Sequence, residues 1–292
     1  MKKNTAISLA LLLLLSGCKD ATAALKDASS TVMKVGTQTV TKGDIYTIMN
    51  TYAGASQVVS DATKKITAIE VEVTDEMRES AESSLNMYKT IYGDSFASYL
   101  ENAGMTEESY IEDYLIPGLQ ADALTDKYIE ESFDALVERY HPVKATVLQF
   151  TSLDNANAAL SALKDGTMTP EEAAEEYESA TSGTPEIITI ENNTYDVMAL
   201  ALIRSATKDD GWSSVTSQTS GEVYVIRVEE NDASAMKDEV TSTFGSVADI
   251  DDQTTAHYFE KYGFRVYDID LYNALKESNP GILTQEVPIS AQ

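Results

Sequence analysis

The chain contains a single cysteine, Cys18, in 292 residues. It can close no internal disulfide, and a thiol pair or a multi-cysteine metal site is excluded with it. Histidine is almost as scarce: His141 and His257 are the only two, and no Cys/His pair is available for nucleophilic catalysis. Basic residues number 21 against 48 acidic ones, a formal net charge of −27. Phosphate backbones need a clustered basic surface, so no nucleic-acid partner is expected. Direct adhesion of the protein surface to anionic lipid is disfavoured for the same reason. No internal repeat, low-complexity tract, Gly-x-Ser-x-Gly elbow, phosphate loop or dinucleotide fingerprint occurs. The densest acidic clusters, Asp209-Asp210-Gly211 and Asp249-Ile250-Asp251-Asp252, lack the ligand offsets and closing Glu of a calcium loop. No metal and no cofactor is therefore expected. Past Leu15 there is no second long apolar run, hence no further membrane span.

What is present begins at the N-terminus. Lys2 and Lys3 precede the apolar run Ala6–Leu15, which leads into Ser16-Gly17-Cys18. This is the layout of a secretory signal, and its core is too short for the ~20 residues that span a bilayer. Leu15-Ser16-Gly17-Cys18 resembles the lipobox of bacterial lipoproteins. The resemblance implies cleavage before Cys18 and diacylglyceryl attachment to its sulfur; two or three acyl chains anchor stably where one does not. An ordinary secreted protein is the plainer alternative. Removal of residues 1–17 takes Lys2 and Lys3 with it, leaving 19 basic residues, 48 acidic ones and a formal charge of −29. About 275 residues then remain, enough for about two domains.

Residues 18–31, rich in Ala, Asp, Lys and Ser, read as a tether. Val32–Val40 reads as a strand pair about Gly36, followed by a helix capped by Thr41 or Gly43 and broken at Gly54. Thr63–Val73 supports helix or strand. Thr74–Tyr140 carries the strongest helical periodicity: Met77, Ala81, Leu85, Tyr88 and Tyr92, then Phe96, Tyr99 and Leu100, then Tyr110, Ile111, Tyr114 and Leu115. Gly93 and Gly104 punctuate it, and Pro117-Gly118 kinks or ends a segment. Such a stripe of Tyr and Met is core, or else a groove holding unfolded polypeptide with soft, adaptable side chains. After His141-Pro142, Val143–Phe150 reads as a strand with Val143, Ala145, Val147 and Gln149 on one face. Leu153–Leu163 is helical, and Thr169-Pro170-Glu171-Glu172 is a capping box opening another helix. Glu186–Ile190 is a candidate strand, Val197–Ile203 a short apolar helix or strand, and Val223–Val228 a clear strand. These make an α+β module of about 90 residues. Ala233–Phe244 and Ile250–Tyr262 read as helices, Phe264–Tyr267 as a strand-like piece, Asp268–Ser278 as a last helix, and Pro280–Gln292 as a frayed tail.

Three stretches together resemble the PrsA-type foldases, lipoproteins of Gram-positive bacteria related to the SurA periplasmic chaperones. The first is Val35–Tyr46. The second is Val73-Thr74-Asp75-Glu76 with Tyr92-Gly93-Asp94-Ser95-Phe96 and Gly104–Tyr110. The third is Lys144–Leu148 with Leu153–Tyr177 and Tyr224–Val228, the outline of a parvulin prolyl-isomerase domain; Tyr262–Asp268 also looks like the family's C-terminal part. The resemblance implies an α+β fold: a mostly helical chaperone body, built from N- and C-terminal segments packed together, with a parvulin-like domain inserted. The boundaries it implies are 32–140 for the N-terminal helical part, 141–232 for the parvulin-like module, 233–281 for the C-terminal helical segment and 282–292 for the tail. Parvulins carry a His in their first strand and another in their last; the matching positions here are Val147 and Tyr224, and the family's glycine-rich Leu-Gly-Trp-Phe segment is missing, Trp212 falling elsewhere.

The expected function is that of a foldase or chaperone for unfolded, newly exported polypeptides, held on the extracytoplasmic face of the cell membrane through Cys18, with a homodimer left open. The isomerase module is read as degenerate. A cleft can still lower the ~20 kcal/mol X–Pro barrier by binding the twisted amide without a nucleophile, so a divergent but working prolyl isomerase is the first alternative. A lipoprotein that binds or adheres without a folding role is the second.

Overall fold

The computed structural model describes residues 25–191 and 194–286; Cys18 and the signal segment lie outside them. The described residues divide into two compact units, one made of those up to Leu124 and from Asp251 onward, the other of Thr125–Ile250. The division falls within two helices, α6 (Ile116–Glu131) and α12 (Ala248–Lys261). The fold is thus a helical body assembled from both ends of the chain, with an α+β unit inserted.

The first unit opens with a hairpin, β1 (Thr31–Val35) and β2 (Gln38–Thr41), paired antiparallel with Val35 opposite Gln38. Thr41 and Asp44 form a capping box at the start of α1 (Lys42–Met49): Asp44 N donates to Thr41 Oγ1 at 3.2 Å and Thr41 N to Asp44 Oδ2 at 2.7 Å. Gly54 does not break this helix. A π-helical turn, Asn50–Gly54, leads straight into α2 (Ala55–Glu70), which settles Thr63–Glu70 as helix. The glycine serves approach instead, since a Cβ there would stand 2.8 Å from Leu271 Cδ2 of α13 (Ile269–Ser278).

Thr74 caps α3 (Asp75–Tyr92), and α4 (Asp94–Ala103) ends at Gly104 with Met105 N donating to Leu100 O at 2.9 Å. Thr106 caps the single turn of α5 (Glu107–Tyr110). Pro117 does not end the helix in which it lies. A π-helical turn, Ile111–Leu115, runs into α6, and the Asp113 carbonyl, to which a prolyl nitrogen cannot donate, takes a 3.4 Å bond from Lys64 Nζ.

The C-terminal segment is tied to the N-terminal helices through Glu70. Its side chain is only 7% exposed, Lys261 Nζ lies 2.5 Å from Glu70 Oε1, and the Tyr262 hydroxyl donates to the same oxygen at 2.8 Å. Phe264–Tyr267 forms no strand. Its partner is a side chain, Gln285, whose amide accepts from Val266 N at 2.9 Å and donates to Val266 O at 2.8 Å. The expected tail is therefore packed as far as Glu286, with Ile282 buried and the Tyr272 hydroxyl donating to Gln285 O.

The second unit is built on a four-stranded antiparallel sheet in the order β4-β3-β6-β5: β3 (Val143–Phe150), β4 (Glu186–Ile188), β5 (Ser213–Thr216) and β6 (Val223–Glu230). The strand β5 has no sequence counterpart among the expectations. Its Ser-Ser-Val-Thr is too polar to stand out, as suits an edge strand exposed on alternate residues. Both faces of β3 are covered. On one, Val143, Ala145 and Val147 pack with Ile226 and Val228 beneath Ala199, Leu200 and Ile203 of α10 (Val197–Ser205). On the other, Leu148 and Phe150 pack with Val223 and Val225 against α8 (Leu153–Lys164), α9 (Pro170–Glu176) and Trp212. Further along the chain, α7 (Phe133–Tyr140) and α11 (Lys237–Phe244) bring Phe133, Tyr140 and Phe244 into ring contact, and Tyr140 Oη donates to Asp249 Oδ2 at 2.7 Å.

Candidate functional site

Two places carry the sequence-predicted residues. The first is the α10-covered sheet face. Val147 stands opposite Ile226, and Tyr224 opposite Gln149, so the two positions are diagonal neighbours on one face. Both are buried, at 3% and 2% exposure. Beyond Ala145, β4 no longer pairs with β3, and the loop after α9 completes that edge: Thr181 Oγ1 donates to Val147 O at 2.5 Å, Ser179 Oγ accepts from Gln149 N at 3.1 Å, and Ala180 N donates to Gln149 O at 2.8 Å.

The polar groups of this face are phenols. The Tyr224 hydroxyl donates to Glu222 Oε2 at 3.2 Å, and that carboxylate also accepts from Ser220 Oγ at 2.8 Å. Tyr195 meets Tyr224 edge to face with centroids 6.3 Å apart and donates to Glu186. Burial, reinforced by the neighbouring carboxylates, pushes both phenols above their ordinary range. At the two positions singled out in the sequence, this face thus holds an isopropyl group and a phenol hydrogen-bonded to a carboxylate. His141 caps α7 in the left-handed conformation at φ 45°. It lines an open cavity of about 360 Å³ with Val137, Pro142, Val143, Arg204 and Asn231, and is not part of the apolar cluster. His257 is exposed on α12, its ring edge-on to Tyr258. The sequence expectation had no place for Tyr195, Glu186 or Glu222. The one signal was Asp196 ahead of an apolar run: it caps α10 at Met198 N and accepts from Ser217 Oγ at 2.9 Å.

The second place is in the helical unit. Six rings, Tyr88, Tyr92, Phe96, Tyr99, Tyr110 and Tyr114, form a connected array with centroids 5.3–6.4 Å apart, set by α3, α4, α5 and the π turn. Phe96 is buried with Leu85 and Leu100 and anchors the array. Tyr92, Tyr99 and Tyr114 remain 58%, 50% and 52% exposed, and Met87 and Ile91, carried like Tyr88 and Tyr92 by α3, 49% and 62%. The stripe expected to be core is thus core on one side and an open aromatic surface on the other. Burial and the surrounding phenols raise the Tyr110 pKa. Among the described residues no group of three or more His, Cys, Asp or Glu side chains is placed to hold a metal, and no helix is long and apolar enough to cross a membrane.

No family model matches the chain. A curated relative, the foldase protein PrsA of Streptococcus gordonii, is 28% identical over 186 residues, covering 56% of this chain and 54% of that protein. The chain is similar to PrsA foldases. It spans about half the length of the curated relative it matches. Two crystal structures of PrsA align over most of both chains: that from Bacillus cereus with a TM-score of 0.47 at 15% identity, covering 86% of this chain and 98% of that one. The Streptococcus pneumoniae structure gives a TM-score of 0.41 at 14% identity, covering 85% and 99%.

Proposed function

We propose that the chain is an extracytoplasmic foldase acting mainly as a chaperone, anchored to the membrane by lipid on Cys18, with unfolded exported polypeptides as its clients. The open aromatic surface of the helical unit carries this reading. Sixteen large apolar side chains are exposed among the described residues, and only Leu153 and Val197 of them belong to the inserted unit. A connected set of rings with half-exposed tyrosines, together with the exposed Met87 and Ile91 of α3, offers adaptable apolar contact to an extended chain without demanding a sequence. The similarity to a protein named a foldase supports the same reading.

In this proposal the inserted unit contains a degenerate parvulin-like module at about residues 141–232, used to bind or space rather than to catalyse. The burial of Val147 and Tyr224 beneath α10 supports this. The strand order and the helices on both sheet faces favour, as a second reading, a working isomerase with a divergent cleft. The test uses the chain from Lys19 onward in two assays: aggregation of an unfolded client, and proline-limited refolding of a model protein. Suppressed aggregation with an unchanged proline phase is expected. An accelerated proline phase that falls when Val147 or Tyr224 is altered overturns the chaperone-only assignment in favour of the isomerase, and no effect in either assay leaves a plain binding lipoprotein.

A further inference from the structure

The aromatic array does not stand in neutral surroundings. Between Asp75 and Leu115 the sequence carries ten carboxylates and two cations, Arg78 and Lys89, and all twelve side chains are exposed. Both cations are already committed: Arg78 Nη1 lies 2.8 Å from Glu112 Oε1, and Lys89 Nζ 2.7 Å from Glu107 Oε1. Asp94, Glu101 and Glu108 make no ion pair among the described residues. One ring already receives an ammonium group, with Lys64 Nζ 5.4 Å from the centroid of Tyr114. Ring faces are negative, and carboxylates around them deepen the local potential, so a guanidinium or ammonium laid on these tyrosines gains from both.

We infer that the array selects its clients by charge, docking extended segments in which Lys or Arg alternates with apolar residues, the cations over the exposed tyrosine faces and the apolar side chains against Met87 and Ile91. This rests on the chaperone reading and names the client class for that surface. An acidic segment of equal hydrophobicity meets an excess of like charge, ten carboxylates against two paired cations in this stretch, and is turned away; a neutral one keeps only the apolar contact.

The experiment measures fluorescence anisotropy of three labelled, unstructured peptides against the full chain in a non-ionic detergent. The peptides have the same length and the same apolar residues, with Lys/Arg, Gln or Glu between them. At ~0.05 M salt the cationic peptide is expected to bind at least ~10-fold tighter than the neutral one and the acidic peptide most weakly, with the preference shrinking towards ~0.5 M as the Debye length falls below ~5 Å. The Tyr99→Leu/Tyr114→Leu variant keeps net charge and apolar character while removing two rings. It is expected to lose most of the cationic preference but retain the neutral peptide within ~3-fold, because cation–π attraction needs the ring. The Glu101→Gln/Glu108→Gln variant is expected to lower the preference by a similar factor and to flatten the salt dependence. A cationic preference unchanged in the Tyr variant means general attraction to an acidic protein and overturns the inference. Equal binding of all three peptides, weakened alike when Tyr92, Tyr99 and Tyr114 are replaced by Ser, overturns the inference and leaves the chaperone reading standing. Binding of none of them overturns both.

Discussion

Gly183→Ala should destabilise the inserted unit more than any other glycine substitution within it. Gly183 is buried, has φ +77°, and an added Cβ would stand 2.6 Å from Pro170 O and 2.7 Å from Pro170 C. Those are backbone atoms of the first residue of α9 and cannot swing aside as a side-chain end would. A non-glycine residue in left-handed backbone costs about 1–2 kcal/mol. Displacing a packed backbone costs a further ~1–3 kcal/mol. About 3 kcal/mol in total is expected, because the shift also strains Ser179–Thr181, the loop that satisfies Val147 O and the Gln149 backbone. Trp212 is the only tryptophan, lies in this unit and is 7% exposed, so its emission in a urea titration reads the inserted unit. With a slope of ~1–3 kcal/mol per molar urea, the midpoint should fall by about 1–3 M. Gly221→Ala is the control: its φ is also +77°, but nothing lies within 4 Å of its Cβ. It should lose only the conformational part, about 1–2 kcal/mol. Equal midpoints for the two variants would refute the close approach of Gly183 to α9.

Three more outcomes concern the same unit. Thr169→Ala removes the cap formed by Glu172 N donating to Thr169 Oγ1 at 3.2 Å and should cost about 1 kcal/mol by Trp212 emission. Val147→Ala leaves a gap beneath α10 and should cost about 2 kcal/mol in the same titration, while the proline-limited refolding rate of an added substrate stays unchanged. The raised pKa of Tyr195 means that the folded chain holds this proton more tightly than the unfolded chain, whose phenol titrates near 10. Its contribution is intact below pH ~10 and is lost as pH rises beyond that value. Urea midpoints measured from pH 8 to 11 should therefore fall above ~10, and Tyr195→Phe should flatten that fall; an equally steep fall in the variant would refute the assignment.

Capping chemistry made much of the fold legible. Thr41 and Thr169, both read as caps from the sequence, each accept from a backbone nitrogen at the start of a helix in a capping box. Val143–Phe150 and Val223–Val228 were legible because their long β-branched and apolar runs leave little alternative to a buried strand. The misreadings share another cause. Gly54 and Pro117 are breakers by propensity, but tertiary structure overrides them, at Gly54 through the approach of Leu271 and at Pro117 through a π turn and Lys64. Phe264–Tyr267 was read as strand-like from its composition, which does not report the partner its backbone finds, and at Val266 that partner is the Gln285 side chain. Val147 and Tyr224 were locatable as positions on one face, but their burial was not, since it depends on α10 and Tyr195 more than 45 residues along the chain from Val147.

The two units resolve the same composition in opposite ways. In the inserted unit, a sheet with apolar residues on both faces is sealed by α8 and α9 on one side and α10 on the other, and its phenols are turned to carboxylates. Exposing Val147 there to a peptide would require α10 to lift and would unseat Ala199, Leu200 and Ile203, at about 25 cal/mol for each Å² of apolar surface returned to water. In the helical unit, Phe96, Leu85 and Leu100 form a small core, and Tyr92, Tyr99 and Tyr114 outside it remain half-exposed. Contact between those rings and a client needs no opening step, because the surface is already formed and already in water. A peptide should accordingly engage the exposed array faster than the sheet face. Stopped-flow mixing of a labelled client is expected to show a rate rising linearly with client concentration, without the plateau that a slow opening of the inserted unit would impose. A plateau that is relieved by Val147→Ala, which loosens α10, would place the client on the sheet face instead.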